Sequence, residues 1–127
     1  MDVPPVKTLL DFSDKAVVVT GSGSGLGQGI ALRFAEARAQ VVVHYRSSEA
    51  GARAVVKRIA EASGEAIAAQ GDLTREADAA RLIRQAVETF GRVDVLINNA
   101  GAYPCASVLA MTPAQWDEVI NANFRFF

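Results

Sequence analysis

The junction at residues 16–34 constrains this chain more than any other feature. A continuous β-branched run, Ala16-Val17-Val18-Val19-Thr20, leads into a glycine-serine cluster, and Leu26, Ile30 and Phe34 then recur at i+4 spacing. An unbroken apolar run suits a strand buried on both faces, as in a parallel sheet, and the i+4 recurrence marks one face of a helix. The unit then repeats. Val41-Val42-Val43 is a second strand, followed by a helix with Ala52, Val55, Val56 and Ile59 on one face. Ala66-Ile67-Ala68-Ala69 is a weaker strand because alanine has poor β-propensity. Thr74 is the expected N-cap of the next helix, whose apolar stripe is Leu82, Ile83, Ala86, Val87 and Phe90. Val93 to Ile97 is a fourth strand. Thr112 and Gln115 have capping-box spacing with Pro113 at the first helical position, and Trp116, Val119, Ile120, Asn123 and Phe127 share one face beyond them. Strands alternating with helices predict an open, doubly wound α/β parallel sheet of four strands with right-handed crossovers. An N-terminal arm, residues 1–14, precedes a single unit over residues 15–127.

Composition narrows the partners. Of 127 residues 50% are hydrophobic and 21% charged, a globular rather than disordered composition. Thirteen Lys+Arg against fourteen Asp+Glu give a net charge of -1, which argues against nucleic acid and anionic membrane as partners. No apolar run approaches the roughly 18 residues of a membrane span. Met1-Asp2-Val3-Pro4-Pro5 lacks the basic start of a signal peptide. One Cys, Cys105, fits a reducing compartment, so the expected location is cytoplasmic; it reads as an incidental loop thiol. One His and one Cys offer no metal-ligand cluster.

The loop Thr20-Gly21-Ser22-Gly23-Ser24-Gly25-Leu26-Gly27 sits where backbone N–H groups can meet an anion at the positive end of a helix. It is not a GxxxxGK[ST] phosphate loop, since the chain has no Gly-Lys pair, and GxGxxG also fails in each register. The match is Thr-Gly-x-x-x-Gly-x-Gly, with Gly21, Gly25 and Gly27. Asn98-Asn99-Ala100-Gly101 closes the fourth strand. On these two motifs the chain resembles the short-chain dehydrogenase/reductase family from about Lys15 to Phe127.

The resemblance implies a Rossmann-like fold that binds a nicotinamide dinucleotide. Gly21, Ser22, Gly23, Ser24, Gly25, Leu26 and Gly27 would form the pyrophosphate loop. Asp72 and Leu73 would meet the adenine, and Asn99, Ala100 and Gly101 the ribose and nicotinamide. At the end of the second strand, Tyr45-Arg46-Ser47 holds no carboxylate for ribose hydroxyls. Arg46 follows the position where NAD-preferring members have Asp, and a guanidinium can grip a 2′-phosphate. NADP(H) is therefore favoured over NAD(H), although Ser24 stands where NADP-preferring members often carry a basic residue. His44 reads as a packed strand residue. Asn123 matches the Asn of the family's catalytic tetrad. Plainer readings stand beside these: Arg46 as a solvated charge next to Glu49, Asp72 as support for the turn before Thr74, and Asn123 as a structural amide.

The tetrad's Tyr-x-x-x-Lys is not found in the chain. Glu49 stands four residues after Tyr45, and Ser107 four after Tyr103. The Ser, Tyr and Lys that protonate a carbonyl would have to come from elsewhere. The leading expectation is thus the cofactor half of an oxidoreductase moving hydride between nicotinamide and a hydroxyl/carbonyl small molecule, truncated relative to the family and inactive as residues 1–127 alone. The alternative is a non-catalytic nucleotide-binding or sensing module. Either way an open apolar fourth strand would invite a homo-oligomer. A methyltransferase reading of Gly21-x-Gly23-x-Gly25 needs a ribose-binding carboxylate where Tyr45 and Arg46 stand.

Overall fold

The computed structural model describes residue 5 and residues 9–102 and 106–124. Its elements, in chain order, are β1 (Ala16–Val19), α1 (Gly25–Glu36), β2 (Gln40–Tyr45), α2 (Glu49–Glu61), β3 (Ala66–Gln70), α3 (Glu76–Phe90), β4 (Val95–Ile97) and α4 (Pro113–Phe124). The strands form one sheet in the order β3-β2-β1-β4. All three pairings are parallel, with Val17 opposite Val41 on one side and Val95 on the other. This is the doubly wound sheet that the repeated strand–helix pattern predicts.

The unbroken valine runs have a direct cause. Val17, Val19, Val41 and Val43 pack on α1 and α2 through Ala31, Ala52, Val55 and Ile59. Val18 and Val42 face the other way, onto Ala69 and onto Leu82 and Ala86 of α3. Both faces are covered, so alternation with polar residues would leave buried groups unpaired. The first two crossovers step the chain outward from β1 on one face. The third returns it to the far side of β1 across the other face. The carboxyl ends of β1 and β4 therefore face a point where the strand order reverses, and there the connections diverge to open a crevice.

Several boundaries differ from the sequence expectation. Thr20 lies just past β1, donating through its N–H to Ile97 O at 3.0 Å. β2 extends to Tyr45 because His44 and Tyr45 still pair with Ala69 and Gln70 of β3. The expected N-cap at Thr74 is not found. α3 starts at Glu76 with Arg75 in the cap position, and the Thr74 hydroxyl donates to Asp72 Oδ1 at 2.7 Å instead. The capping box is as expected, with Gln115 N donating to Thr112 Oγ1 at 3.3 Å and Thr112 N to Gln115 Oε1 at 2.9 Å. The expected apolar face of α4 has little cover: Trp116 and Phe124 are exposed and no residue of the helix is fully buried. Phe127 and Cys105 lie outside the described residues.

At the opposite end of the sheet, α1 and α2 each close with a non-glycine residue in the left-handed region, Arg38 at φ 73 and Ser63 at φ 63. After α2, Ser63 N donates to Ala60 O and Gly64 N to Ile59 O, each at 2.9 Å, the paired bonds that end a helix with a left-handed residue. Phe12 packs edge-on against Phe34 with ring centroids 5.1 Å apart, fixing the end of the arm to α1. Among the described residues no helix is long and apolar enough to cross a membrane.

Candidate functional site

Four strand ends meet at the crevice, and buried polar groups tie them together. The Thr20 hydroxyl accepts from Asn99 N and Ala100 N, each at 2.9 Å. In return Asn99 Nδ2 donates to Thr20 O at 2.8 Å and Gly21 O at 3.2 Å. These bonds clamp the end of β1 to the end of β4. His44 does the same for β1 and β3. Its Nδ1 accepts from Gly21 N at 3.0 Å, and its Nε2 lies 3.0 Å from Gly71 O. A carbonyl only accepts, so Nε2 carries the proton and the ring is the neutral tautomer. Burial pushes the His44 pKa down, against the opposing pull of the Gly71 carbonyl and the Asp72 charge. The sequence expectation of a packed strand residue describes its burial and leaves out these two bonds.

The glycines of the loop serve different ends. Gly21 has φ +62, and a Cβ on it would stand 3.0 Å from Ala100 Cα. Gly25 has φ +57 with open space where a Cβ would be. Gly27 is buried, and its Cβ would lie 2.4 Å from Asn99 Nδ2 and 2.6 Å from Gly21 O. Two of the loop's amides are already used, since Gly21 N bonds the His44 ring and Ser22 N donates to His44 O at 2.9 Å. Ser22 is itself buried, its hydroxyl donating to Val19 O at 2.7 Å. The first-turn amides of α1 at Gly25, Leu26 and Gly27 have no side-chain cap, as Ser24 supplies none. They carry the positive end of the helix dipole toward the crevice.

The crevice has a volume of about 320 Å³. Of the expected site residues it gathers Gly21, Gly23, Ser24, Tyr45, Arg46, Ser47, Asp72, Leu73, Asn99, Ala100 and Gly101 along one wall or another. Ser22 and Gly27 are buried and off its wall; Gly25 and Leu26 are exposed and also off its wall, the Leu26 side chain lining a separate apolar groove with Phe12, Ile30 and Phe34. Arg46 is exposed at the end of β2, and its backbone carbonyl accepts from Gln70 Nε2 at 3.1 Å. Two hydrogen bonds from Thr74, side chain and then backbone, hold the Asp72 carboxyl below its ordinary range, with the Arg46 charge adding to them. Asp72 thus braces its own turn as the plainer reading expected, while still lining the crevice. Asn123 is not on the wall, although its neighbour Ala122 is. Its Nδ2 donates to Ala102 O and Val119 O, each at 2.8 Å, and its buried Oδ1 has no donor among the described residues.

Residues not expected from the sequence also shape the site. Gly51, in the first turn of α2, has its Cβ position 2.3 Å from Gly23 O, so only glycine lets α2 lie against the loop. Asp78 Oδ2 accepts from Asp72 N at 2.9 Å, and Arg81 pairs with the other oxygen at 2.7 Å. The Gly51 signal, a glycine early in a helix against its propensity, is visible in the sequence; its partner is not.

Fold and crevice together define the class: a doubly wound α/β nucleotide-binding domain with its ligand crevice at the strand-order reversal. Comparison with known proteins gives the family. The model of the short chain dehydrogenase family matches residues 15–125, and the chain belongs to that family. It is 44% identical over 109 residues to an uncharacterised oxidoreductase of Methylorubrum extorquens, covering 86% of this chain and 44% of that protein. A dehydrogenase/reductase from Sinorhizobium meliloti 1021 superposes with a TM-score of 0.90 at 36% identity, over 94% of this chain and 48% of that one. A short chain dehydrogenase from Burkholderia cenocepacia J2315, solved in complex with NADP, has a TM-score of 0.84 at 34% identity, over 90% and 46%. The chain spans about half the length of these relatives.

Proposed function

We propose that this chain supplies the dinucleotide-binding half of an NADP(H)-dependent oxidoreductase acting on a hydroxyl/carbonyl pair. The observation that carries the cofactor preference is Arg46, exposed on the crevice wall at the end of β2 with Tyr45, not a carboxylate, before it. A carboxylate there would repel a 2′-phosphate; a guanidinium forms two charge-assisted bonds to one. A family member solved with NADP supports the same choice.

The residues present fit such a cofactor. The uncapped amides of Gly25, Leu26 and Gly27 would receive the pyrophosphate, helped by the open space at Gly25. Arg46 and Ser47 would hold the 2′-phosphate, Asp72 and Leu73 the adenine, and Asn99, Ala100 and Gly101 the ribose and nicotinamide side. Bound nicotinamide supplies hydride transfer at its C4. Asn123 fastens the chain after β4 to α4, and its lone Oδ1 would accept from a proton-relay water. With neither tyrosine followed by a lysine four residues on, residues 1–127 bind and orient, and the acid/base that completes carbonyl reduction lies outside them. Exposed Ile83, Val87 and Leu96 around β4 favour a homo-oligomer or further chain covering that side; sedimentation of the native protein distinguishes the two.

The test is direct titration with NADPH and NADH. Arg46→Ala should weaken NADPH about 10- to 100-fold, the loss of charge-assisted bonds, and leave NADH nearly unchanged. Equal loss for both cofactors would remove the 2′-phosphate assignment. NADPH binding without turnover in the complete native protein would favour the non-catalytic module.

A further inference from the structure

We propose that His44 is a positioning residue of the nucleotide loop, and that only its neutral Nε2–H form holds the loop in a binding-competent shape. This rests on the dinucleotide reading of the crevice. The ring is 1% exposed, with one nitrogen bonded to the first amide of the loop and the other to the carbonyl at the end of β3. Both bonds are 3.0 Å long, and they use the only acceptor and the only donor that a neutral imidazole has.

Protonation removes the acceptor. An Nδ1–H would point at the Gly21 N–H, placing two donors face to face at a residue that is almost fully buried. Gly21 cannot turn aside freely. Its carbonyl is held by Asn99 Nδ2, and the peptide that carries its N–H is held at the other end, where Asn99 Nδ2 also donates to Thr20 O. The strain would pass to Ser22, whose N–H is held by the His44 carbonyl, and from there to Gly23 on the crevice wall. The loop would then have to leave the shape that presents the start of α1.

The charged groups around the ring are few. The β1 end brings the uncharged Gly21. From the β3 end Asp72 favours the protonated ring, and from α3 Asp78 is neutralised by Arg81. Arg46 and Tyr45 follow His44 at the end of β2. Burial outweighs Asp72, which leaves the ring's pKa below its ordinary 6.5. A protein with this His neutral at pH 7 therefore has a full loop, and nucleotide binding is lost on acidification.

Three forms of the native protein separate this from a merely packed histidine: wild type, His44→Asn and His44→Phe. Asparagine places an oxygen near the Nδ1 position and does not titrate; phenylalanine fills space and accepts nothing. NADPH affinity of wild type should fall below the ordinary imidazole range by up to tenfold per pH unit relative to His44→Asn, a comparison that cancels the titration of the ligand's own phosphate. His44→Phe should bind at least tenfold more weakly than His44→Asn at pH 7.5, with both folded by circular dichroism. Parallel pH profiles for wild type and His44→Asn overturn the proposal. In the unliganded wild type, NMR should show the Nε2–H tautomer and a Gly21 amide resonance that titrates with the ring. An Nδ1–H tautomer, or a Gly21 amide indifferent to the ring, overturns the proposal even if no dinucleotide binds. Failure of all three proteins to bind NADPH and NADH at pH 7.5, with that NMR signature intact, overturns the dinucleotide reading instead.

Discussion

Two glycines in α1, two residues apart, should respond to alanine with opposite signs. Gly29 is exposed within the helix, and nothing lies within 4 Å of its Cβ position. Alanine there removes glycine's backbone entropy and should stabilise by about 0.5–1 kcal/mol. Gly27 would gain the same propensity, yet its Cβ would lie 2.4 Å from Asn99 Nδ2, 2.6 Å from Gly21 O and 2.9 Å from Ser22 Cα. Two of those three atoms are backbone, so relief requires α1 to shift or Asn99 to withdraw. A shift costs about 1–3 kcal/mol as overpacking. Withdrawing Asn99 leaves the carbonyls of Thr20 and Gly21 without their amide donor, at about 1–3 kcal/mol for each buried group. Net of the propensity gain, Gly27→Ala should destabilise by about 0–2.5 kcal/mol if α1 shifts and by about 1–5 kcal/mol if Asn99 withdraws, and it should also weaken dinucleotide binding. Urea unfolding of the two variants beside wild type measures both. If Gly27→Ala were as stable as Gly29→Ala, close approach would not be why residue 27 is glycine.

Ser63→Gly should stabilise by about 0.5–1 kcal/mol in the same assay, because φ 63 at the end of α2 strains any L side chain and Ser63 is exposed. Thr20→Val should lose about 2–5 kcal/mol by leaving the N–H groups of Asn99 and Ala100 unpaired, and Thr20→Ser, which keeps the hydroxyl, should lose far less. Asp94 accepts from Ala16 N and pairs with Arg92 and Lys15, and its carboxyl is held below the ordinary 3.8 first by that backbone bond. A depressed folded pKa binds fewer protons than the unfolded chain, so its stabilisation is complete above the ordinary carboxylate range and lost as pH falls through the depressed value. Thermal melts from pH 7 to pH 2 should therefore show a shallower acid loss for Asp94→Asn than for wild type. Gly51→Ala should lower nucleotide affinity, since its Cβ position is 2.3 Å from Gly23 O and α2 must retreat from the loop; unchanged affinity for NADPH would show that the contact does not shape the crevice.

What the sequence discloses and what it hides follow from where each cause lies. Val17 to Val19 and Val41 to Val43 are legible because burial on two faces leaves a local trace, an unbroken apolar run. The capping box at Thr112 is legible because both partners lie within one turn. Thr74 is misread for the opposite reason: Asp72 competes for its hydroxyl, and helix-start patterns do not weigh that competitor. The stripe on α4 has the right period, but period records which residues share a face and not what covers it, so Trp116 reads as core and stands exposed. At the candidate site, the motif marks the glycines as a group without telling φ at Gly21 and Gly25 from close approach at Gly27. Gly51 and His44 are harder still, because the atoms they meet belong to other loops.

The ties that shape the crevice are mostly residues that do not meet a ligand. A strand-order reversal opens a gap but does not define its width, since the loops at β1, β3 and β4 follow separate crossovers. Thr20 and Asn99 define the distance from β1 to β4; His44 defines it from β1 to β3, and each does so with buried bonds. Breaking either tie strands a donor or acceptor away from water, a larger penalty than the net gain from making an average hydrogen bond. The same ties draw Gly21 N and Ser22 N inward, so the anion-facing donors shift to the first turn of α1, where the helix dipole adds to them. A loop held in this way can present those amides before any ligand arrives, which lowers the ordering cost of binding. The shape of the crevice should therefore be more sensitive to Thr20, His44 and Gly27 than to exposed residues such as Arg46, whose replacement removes a ligand contact and leaves the loop in place.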